Sequence, residues 1–502
     1  MASLSEKFGA DATLPQQYVD FMNIAWTRYH AVAECERRLA AAGFEKLDER
    51  DQWTGAIQPG GRYFFDRGGT SLVAFAVGAQ YAAGNGLIVV GTHTDSPHLR
   101  LKPTSKMSSH GVLQMGLQTY GGGLWSTWFD RDLSLAGSVV LRGAGGALQR
   151  KLLKIERPIC RVPMLAVHLD RGTGTKVTIN TETHLPAVLA TSVKDQLFSK
   201  KKEAVAGGGG EEEEGKQKDG RDEPIGGSPA ANHHSVLLNL VAEELGCAPG
   251  DIMDFDLQLC DTQPSAIGGI HNEFIFSGRM DNLFSVYCAV EALLSSSPDE
   301  ASLADESCIR MVCAYDHEEV GSRSHQGAMG TITKDAVRRV TMALTGNNVE
   351  APERATQASL LISSDMAHAV HPNYASKHEA RHGPKLHGGV VIKTNVNQRY
   401  ATTAITSAMF KEFAKIAGCP VQEFVVRQDC GCGSTIGPIV AGATGLPTVD
   451  VGAPQWSMHS IRETAGTDDV INKVRTLRAA FENYKTVGKL FCGICNTQSS
   501  SM

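Results

Sequence analysis

Two adjacent acids, Glu318 and Glu319, follow the apolar run Cys308-Ile309-Arg310-Met311-Val312-Cys313-Ala314-Tyr315 and close the tetrapeptide Asp316-His317-Glu318-Glu319. That run predicts a buried strand, so the acids are delivered to a strand end. Neighbouring side chains there point in different directions. One carboxylate can then hold a metal while the other carries protons. A Glu pair taken alone more often just opens a loop. Here four other strand-like runs also end in residues that ligate metals: His93 and Asp95 after 86–91, Asp281 after 274–276, Asp365 and His368 after 360–363, and His459 after 448–451. Singly, each is ambiguous. A lone His after a strand is more often a core or loop residue, and Asp281 reads equally well as a helix N-cap. Together His, Asp, Glu, Asp and His make a nitrogen/carboxylate set that suits Zn²⁺ and accepts Mn²⁺ or Co²⁺.

These residues must be positioned by a sheet. Strand-like runs at 70–78, 86–91, 309–314, 360–363, 390–393, 424–426 and 448–451 alternate with helical patterns at 15–43, 281–294, 401–417 and 468–491. Such alternation predicts an α/β fold with a mixed, mainly parallel sheet sandwiched by helices. Ligands of open α/β sheets bind beyond the carboxyl ends of the strands, where the candidate residues fall. Between 99 and 252 the texture changes to shorter alternating runs, such as 133–142 and 176–180, rich in glycine. This predicts a β-rich module inserted between two parts of one catalytic domain, 1–98 and 253–502. Inside it, 199–232 carries Lys200–202, Gly207–210 and Glu211–214, a low-complexity stretch that reads as a flexible surface loop.

Composition excludes several classes. A chain of 502 residues accommodates two domains, and 42% apolar with 20% charged residues is ordinary for a soluble globular protein. A net charge of −6 with no basic, aromatic-interleaved stripe argues against nucleic acid as a partner. No apolar run approaches membrane-spanning length, and the first residues lack a signal-peptide core. A cytoplasmic location is therefore expected, and a reducing compartment suits twelve cysteines without a disulfide pattern. Cys430/Cys432 and Cys492/Cys495 read as thiols, because no second knuckle completes a zinc site for either pair.

Longer motifs then narrow the reading. Gly91-Thr92-His93-Thr94-Asp95-Ser96-Pro97, Thr119-Tyr120-Gly121-Gly122-Gly123 and Trp128-Phe129-Asp130-Arg131-Asp132-Leu133 are three of them. Asp316-His317-Glu318-Glu319-Val320-Gly321-Ser322, Ser364-Asp365-Met366-Ala367-His368-Ala369-Val370-His371-Pro372-Asn373 and Asn397-Gln398-Arg399-Tyr400-Ala401-Thr402 are three more. In these motifs, over nearly its whole length, the chain resembles the M18 aspartyl aminopeptidases, co-catalytic metallopeptidases with a phosphorylase/hydrolase-like fold. The acidic, Gly-rich stretch within the inserted module departs from that pattern.

The resemblance implies two divalent ions per subunit, most simply Zn²⁺, about 3.5–4 Å apart. Asp281 would bridge them, His93 and Asp365 would complete one, and Glu319 and His459 the other. Glu318 would be general base to a metal-activated water, and Asp95 would orient His93. Lys393, His368 and Tyr400 would contact the substrate, a peptide with an N-terminal Asp or Glu. His168 would reach the site of a neighbouring subunit, making the inserted module an oligomerisation domain of a homododecamer built from dimers. The alternatives are a related co-catalytic deacylase or carboxypeptidase with another pocket, and an inactive assembly protein. The second is disfavoured because every ligand position and Glu318 carry workable side chains.

Overall fold

The computed structural model describes residues 4–174, 176–196 and 229–495. Most of the loop expected over 199–232 therefore lies outside the described residues; its last four form the short helix Pro229–Asn232. The chain forms two compact units, Met1–Ser96 with Pro264–Met502, and Pro97–Gln263.

The first unit is built on a nine-stranded mixed sheet. Its strand order is Glu45–Lys46, Arg62–Arg67, Ser71–Val77, Ile309–Tyr315, Leu87–His93, Leu360–Ser364, Thr448–Gly452, Val390–Lys393 and Val421–Phe424. The central strands are buried along their entire length, as their predominantly apolar sequences favour in strands covered on both faces. Successive side chains feed opposite faces. Ile88 and Val90 pack with Phe284 of helix Met280–Ser296 and Phe481 of helix Thr467–Cys495. Leu87 and Val89 pack with Val337 of helix Ile332–Leu344 and Val440 of helix Ile436–Thr444.

Register decides what this sheet presents. Leu87–His93 runs parallel to Ile309–Tyr315, with His93 opposite Tyr315, and parallel to Leu360–Ser364 on its other side. Leu360–Ser364 is in turn parallel to Thr448–Gly452. Parallel strands in register finish together, so His93, the turn after Tyr315 and Asp365 emerge along one edge. A separate five-stranded sheet in the same unit orders Ala266–Gly268, Phe274–Ser277, Glu463–Gly466, Pro454–Trp456 and Ala367–His368. It carries the approaches to Asp281 and His459.

The second unit holds a six-stranded antiparallel sheet, ordered Leu148–Lys154, Leu133–Arg142, Ile252–Asp261, His98–Ser109, Val112–Tyr120 and Ala187–Thr191. Strand Ile252–Asp261 thus extends the β-rich texture beyond residue 252.

Three local expectations are corrected. The helix expected over 15–43 is two helices, Leu14–Ile24 and Arg28–Ala41. Thr27 explains the break: it is extended (φ −140°) and its hydroxyl accepts the His30 N–H, a cap that competes with helix continuation. No strand forms over 176–180, where Val177 is exposed and no apolar face is buried. The strand expected at 424–426 ends instead at Phe424, after pairing Val421–Phe424 with Val390–Lys393.

The break after Ile24 has a consequence for the catalytic edge. It lets Arg28 place its Nε 3.1 Å from Asp316 Oδ2, with the two side chains 3% and 1% exposed. Asp316 opens the turn bearing Glu318 and Glu319, and its Oδ1 accepts the His317 N–H. Removing one member of a buried pair strands the other charge, at a cost of about 3–5 kcal/mol. Arg28→Ala is expected to destabilise the fold by that order, measured from the urea unfolding midpoint. An unchanged midpoint would contradict the assigned role of the pair.

Candidate metal centre and active site

Asp281 is the geometric centre of the site. Its Oδ1 lies 3.3 Å from His93 Nε2, while its Oδ2 lies 3.3 Å from His459 Nε2. His93 Nε2 is also 3.5 Å from Asp365 Oδ1, and His459 Nε2 is 3.4 Å from Glu319 Oε2. Two groups result, His93–Asp281–Asp365 and Asp281–Glu319–His459, each with its ligand atoms within 4.8 Å of one another. One carboxylate thus faces both groups, one oxygen to each. Glu318 stands beside them with Oε2 3.9 Å from His93 Nε2, close enough for a further grouping of His93, Glu318 and Glu319.

Local structure explains the aim of each side chain. His317, before the acid pair, adopts φ 64°, and the single turn Glu318–Val320 ends at Gly321 with φ 97°. The carboxylate of Asp95 accepts the N–H of Glu318 and of Glu319, each at 3.1 Å, so it holds this turn directly. Asp95 also serves His93: Nδ1 is 3.0 Å from its carbonyl oxygen and 3.4 Å from its carboxylate. Both contacts leave Nε2 directed at Asp281 and Asp365. Asp281 begins helix Met280–Ser296, where Arg279 takes φ 60°, and the Ser96 hydroxyl donates to the Asp281 carbonyl at 2.5 Å. Gly452 lets strand Thr448–Gly452 approach the Asp365 backbone, because a Cβ there would sit 2.1 Å from the Asp365 carbonyl oxygen.

A cavity of about 320 Å³ opens over the centre, lined by Asp281, Glu318, Glu319, Asp365 and His459 at one end. Lys393, Tyr400 and Phe424 line it elsewhere, with His368 edge-on to Phe424 at 5.7 Å. Lys393 is 2% exposed; its Nζ donates to the Met366 carbonyl at 2.8 Å and lies 3.7 Å from Asp365 Oδ2. Its ammonium also sits 5.3 Å from the centre of the Tyr400 ring, within cation–π range. His168 is not among the lining residues. It occupies an exposed turn of the second unit, beside Leu165, Val167 and Leu169, each at least half exposed or nearly so.

Several contributors were not evident from motif reasoning. Glu463 is 2% exposed and accepts the Asp281 N–H through Oε2 and the His459 N–H through Oε1. Asp450, fully buried, accepts the Ala401 N–H and the Thr435 hydroxyl, each at 2.6 Å. It thereby ties the Tyr400 loop to the loop bearing Ser434. Asp450 lies within the strand-like run 448–451, whereas Glu463 lies in no such run. Cys430 is exposed and Cys432 half-buried. The last side chains of helix Thr467–Cys495, Cys492 and Cys495 included, lie outside the described residues.

The donor set fits divalent cations. Asp281 Oδ1 and Glu319 Oε1 are buried and accept no hydrogen bond, a costly arrangement unless something positive approaches them. Burial, then the Asp281 charge, push the Glu319 carboxyl well above its ordinary range despite His459. Burial, with Asp365, Asp95 and Asp281, pushes Glu318 to about 8, against the opposing pull of His93. Burial would suppress the His93 imidazolium, yet Glu318, Asp281 and Asp365 raise its pKa well above the usual value. Asp365 differs: burial would raise it, but Lys393 and His93 hold it well below the carboxylate range. Lys393 answers Asp365, and without a bound metal the charge of Glu318 and Glu319 is offset by protons. Imidazole and carboxylate donors in threes are what zinc takes.

This balance has a pH signature. In chelated protein, folded Glu318 keeps its proton to about 8, whereas an unfolded Glu releases it near 4.5. The folded state then binds more protons across that window, so stability falls as pH rises through it. Glu319 and His93 act with the same sign, and Asp365 titrates below the window. Chelator-treated protein is therefore expected to lose thermal stability between about pH 5 and 8, and zinc-loaded protein to resist this loss. A chelated form whose melting temperature is flat or rising over that range would contradict the electrostatic account.

Comparison with known proteins places this geometry in a family. The chain is 48% identical over 477 residues to a probable aspartyl aminopeptidase of Ricinus communis, covering 94% of this chain and 96% of that protein. It is 45% identical over 480 residues to the aspartyl aminopeptidase of Dictyostelium discoideum, covering 94% and 97%. Among solved structures, a chain of the Ape4 and Nbr1 complex superposes with a TM-score of 0.87 at 39% identity, covering 96% of this chain and 87% of that one. The Saccharomyces cerevisiae mApe1 dodecamer gives 0.79 at 28% identity, covering 95% and 98%. The family profile described as aminopeptidase I zinc metalloprotease (M18) matches residues 21–481, and the chain therefore belongs to the M18 family of zinc aminopeptidases.

Proposed function

We propose that this protein is an aspartyl aminopeptidase, releasing N-terminal Asp or Glu from peptides at a two-metal centre. The observation that carries the reading is Asp281 facing two ligand groups, one oxygen to each, with Glu318 poised beside them. His93, Asp281 and Asp365 would hold one ion, and Asp281, Glu319 and His459 the other, with Zn²⁺ the natural occupant and Mn²⁺ or Co²⁺ acceptable to the same donors. When bound, such ions polarise a carbonyl and acidify water, lowering its pKa toward about 7.

The chain's own residues do the rest. Glu318 takes the proton of the attacking water and returns it to the departing amine, so the N-terminal residue leaves as a free amino acid. Its position is held through its N–H on Asp95. Lys393 is the lysine of the cavity lining and would pair with the substrate's side-chain carboxylate, exchanging its present bond to the neutral Met366 carbonyl for an ion pair. Tyr400 and His368 flank that position. The relatives named aspartyl aminopeptidases support the same acidic preference.

The same reading covers architecture. The first unit would be a phosphorylase/hydrolase-like catalytic domain with helices on both sheet faces. The β-rich second unit would be the oligomerisation domain, as the dodecameric relative suggests. His168, on its exposed turn, would enter the site of a neighbouring subunit and stabilise the oxyanion. A cytoplasmic location accords with this picture; among the described residues no helix is long and apolar enough to cross a membrane.

Specificity is tested with chromogenic amides of Asp, Glu, Leu and Lys, beside N-acyl amino acids. Asp and Glu amides are expected to be cleaved in preference, and Lys393→Met to lose at least about tenfold in kcat/KM on them, the scale of one charge-assisted bond. Turnover of acyl substrates but not acidic amides would reject the aminopeptidase reading. Glu318→Gln is expected to keep its zinc by elemental analysis while losing at least about 10²-fold in rate. Near-native turnover would remove Glu318 as the base. Mixed oligomers of Glu318→Gln and His168→Phe subunits should regain activity if His168 acts across subunits, and no recovery would refute that role.

A further inference from the structure

We propose that Glu463 is a positioning residue that fixes the spacing of Asp281 and His459, and thereby the affinity of the ion they share with Glu319. The proposal rests on the two-metal reading above.

The geometry is specific. Glu463 is buried at 2% exposure at the start of strand Glu463–Gly466. Its Oε1 accepts the N–H of His459 at 2.8 Å, and its Oε2 accepts the N–H of Asp281 at 3.2 Å. The register of the five-stranded sheet makes this double contact possible: Glu463 pairs with Ser277, at the end of the strand that leads to Asp281. Gly278 permits the approach, since a Cβ there would lie 2.6 Å from the Ile461 carbonyl oxygen. Glu463 therefore stands between two segments distant in sequence, and one side chain grips the backbone of both.

Both gripped residues need an external hold. His459 sits at φ 66°, in the left-handed region that non-glycine residues adopt only when their surroundings impose it. Asp281 departs from helical backbone, at ψ 102°, inside the first turn of its helix. Neither segment fixes its own ligand, yet Asp281 Oδ2 and His459 Nε2 meet at 3.3 Å. A carboxylate suits this task because both its oxygens accept. An amide of the same shape offers one acceptor and turns an NH₂ donor toward the second N–H. Glu463→Gln thus removes one hold at almost constant volume.

Outer partners of ligands typically govern metal affinity by about 10–100-fold. The expected effect is unequal: the ion held with Glu319 would lose the placement of two ligands, Asp281 and His459, whereas the ion held with His93 and Asp365 would lose that of Asp281 alone. Full-length wild-type and Glu463→Gln protein are titrated with zinc against a competing chromophoric chelator, resolving the two dissociation constants. Wild type is expected to bind two ions. The variant is expected to lose about 10–100-fold in affinity for one ion and distinctly less for the other. Glu463→Asp keeps two accepting oxygens on a shorter arm and is expected to lose less; if the Gln variant fails to fold, the Asp variant must show the unequal loss. Equal affinities in wild type and variant would overturn the proposal while leaving the two-metal centre intact. Equal weakening of both ions would mean a general structural role and would also overturn it. Wild type binding fewer than two ions would remove the reading on which it stands.

Discussion

The structure turns on a concentration of buried negative charge. Asp281, Glu318, Glu319 and Asp365 converge on one cavity, with Asp95 and Glu463 immediately behind them. Among the described residues, Lys393 stands beside Asp365, Lys473 is buried within electrostatic reach of Asp365 and Asp281, and Arg28 pairs with Asp316 at the rear of the acid pair. Burying carboxylates without compensating charge is expensive. Metal ions of the kind the M18 zinc metalloproteases use would neutralise this set from within.

The constraint reaches outward through the backbone. Parallel register brings the ends of Leu87–His93, Ile309–Tyr315 and Leu360–Ser364 to one edge, but strand ends alone do not set ligand distances. Fine placement falls to residues in the left-handed region, Arg279, His317 and His459, each stabilised by contacts elsewhere. Arg279 donates to the Ala25 carbonyl, the turn after His317 is held by Asp95, and the His459 N–H bonds to Glu463. Local strain at such sites persists where surrounding structure over-determines it. For His317 and His459 the surroundings are carboxylates that also add to the negative charge.

Much of this was legible in the sequence. The central strands are predominantly apolar runs, and their ends carry the ligand residue types in usable order. Asp95 was read as a partner of His93, but its grip on the Glu318 and Glu319 N–H groups depends on how two strand ends meet, which no local pattern encodes. Glu463 and Asp450 were invisible for the same reason. Each is an ordinary acid until the fold buries it against backbone N–H groups from remote segments. The helix break at Thr27 was missed because apolar spacing continues across it; a capping threonine competes with that period only through hydrogen-bond geometry. The pocket lysine illustrates the opposite case. Lys393 ends the strand-like run 390–393 and is expected from the resemblance to contact substrate, and the structure buries it in the cavity lining against Met366 and Tyr400.

In the proposed centre one aspartate serves two ions. Anomalous diffraction at the zinc edge from zinc-loaded crystals tests it most directly. The account predicts two peaks in each subunit, about 3.5–4 Å apart, with one oxygen of Asp281 bonded to each. A single peak, or two peaks with both Asp281 oxygens on the same ion, would contradict it.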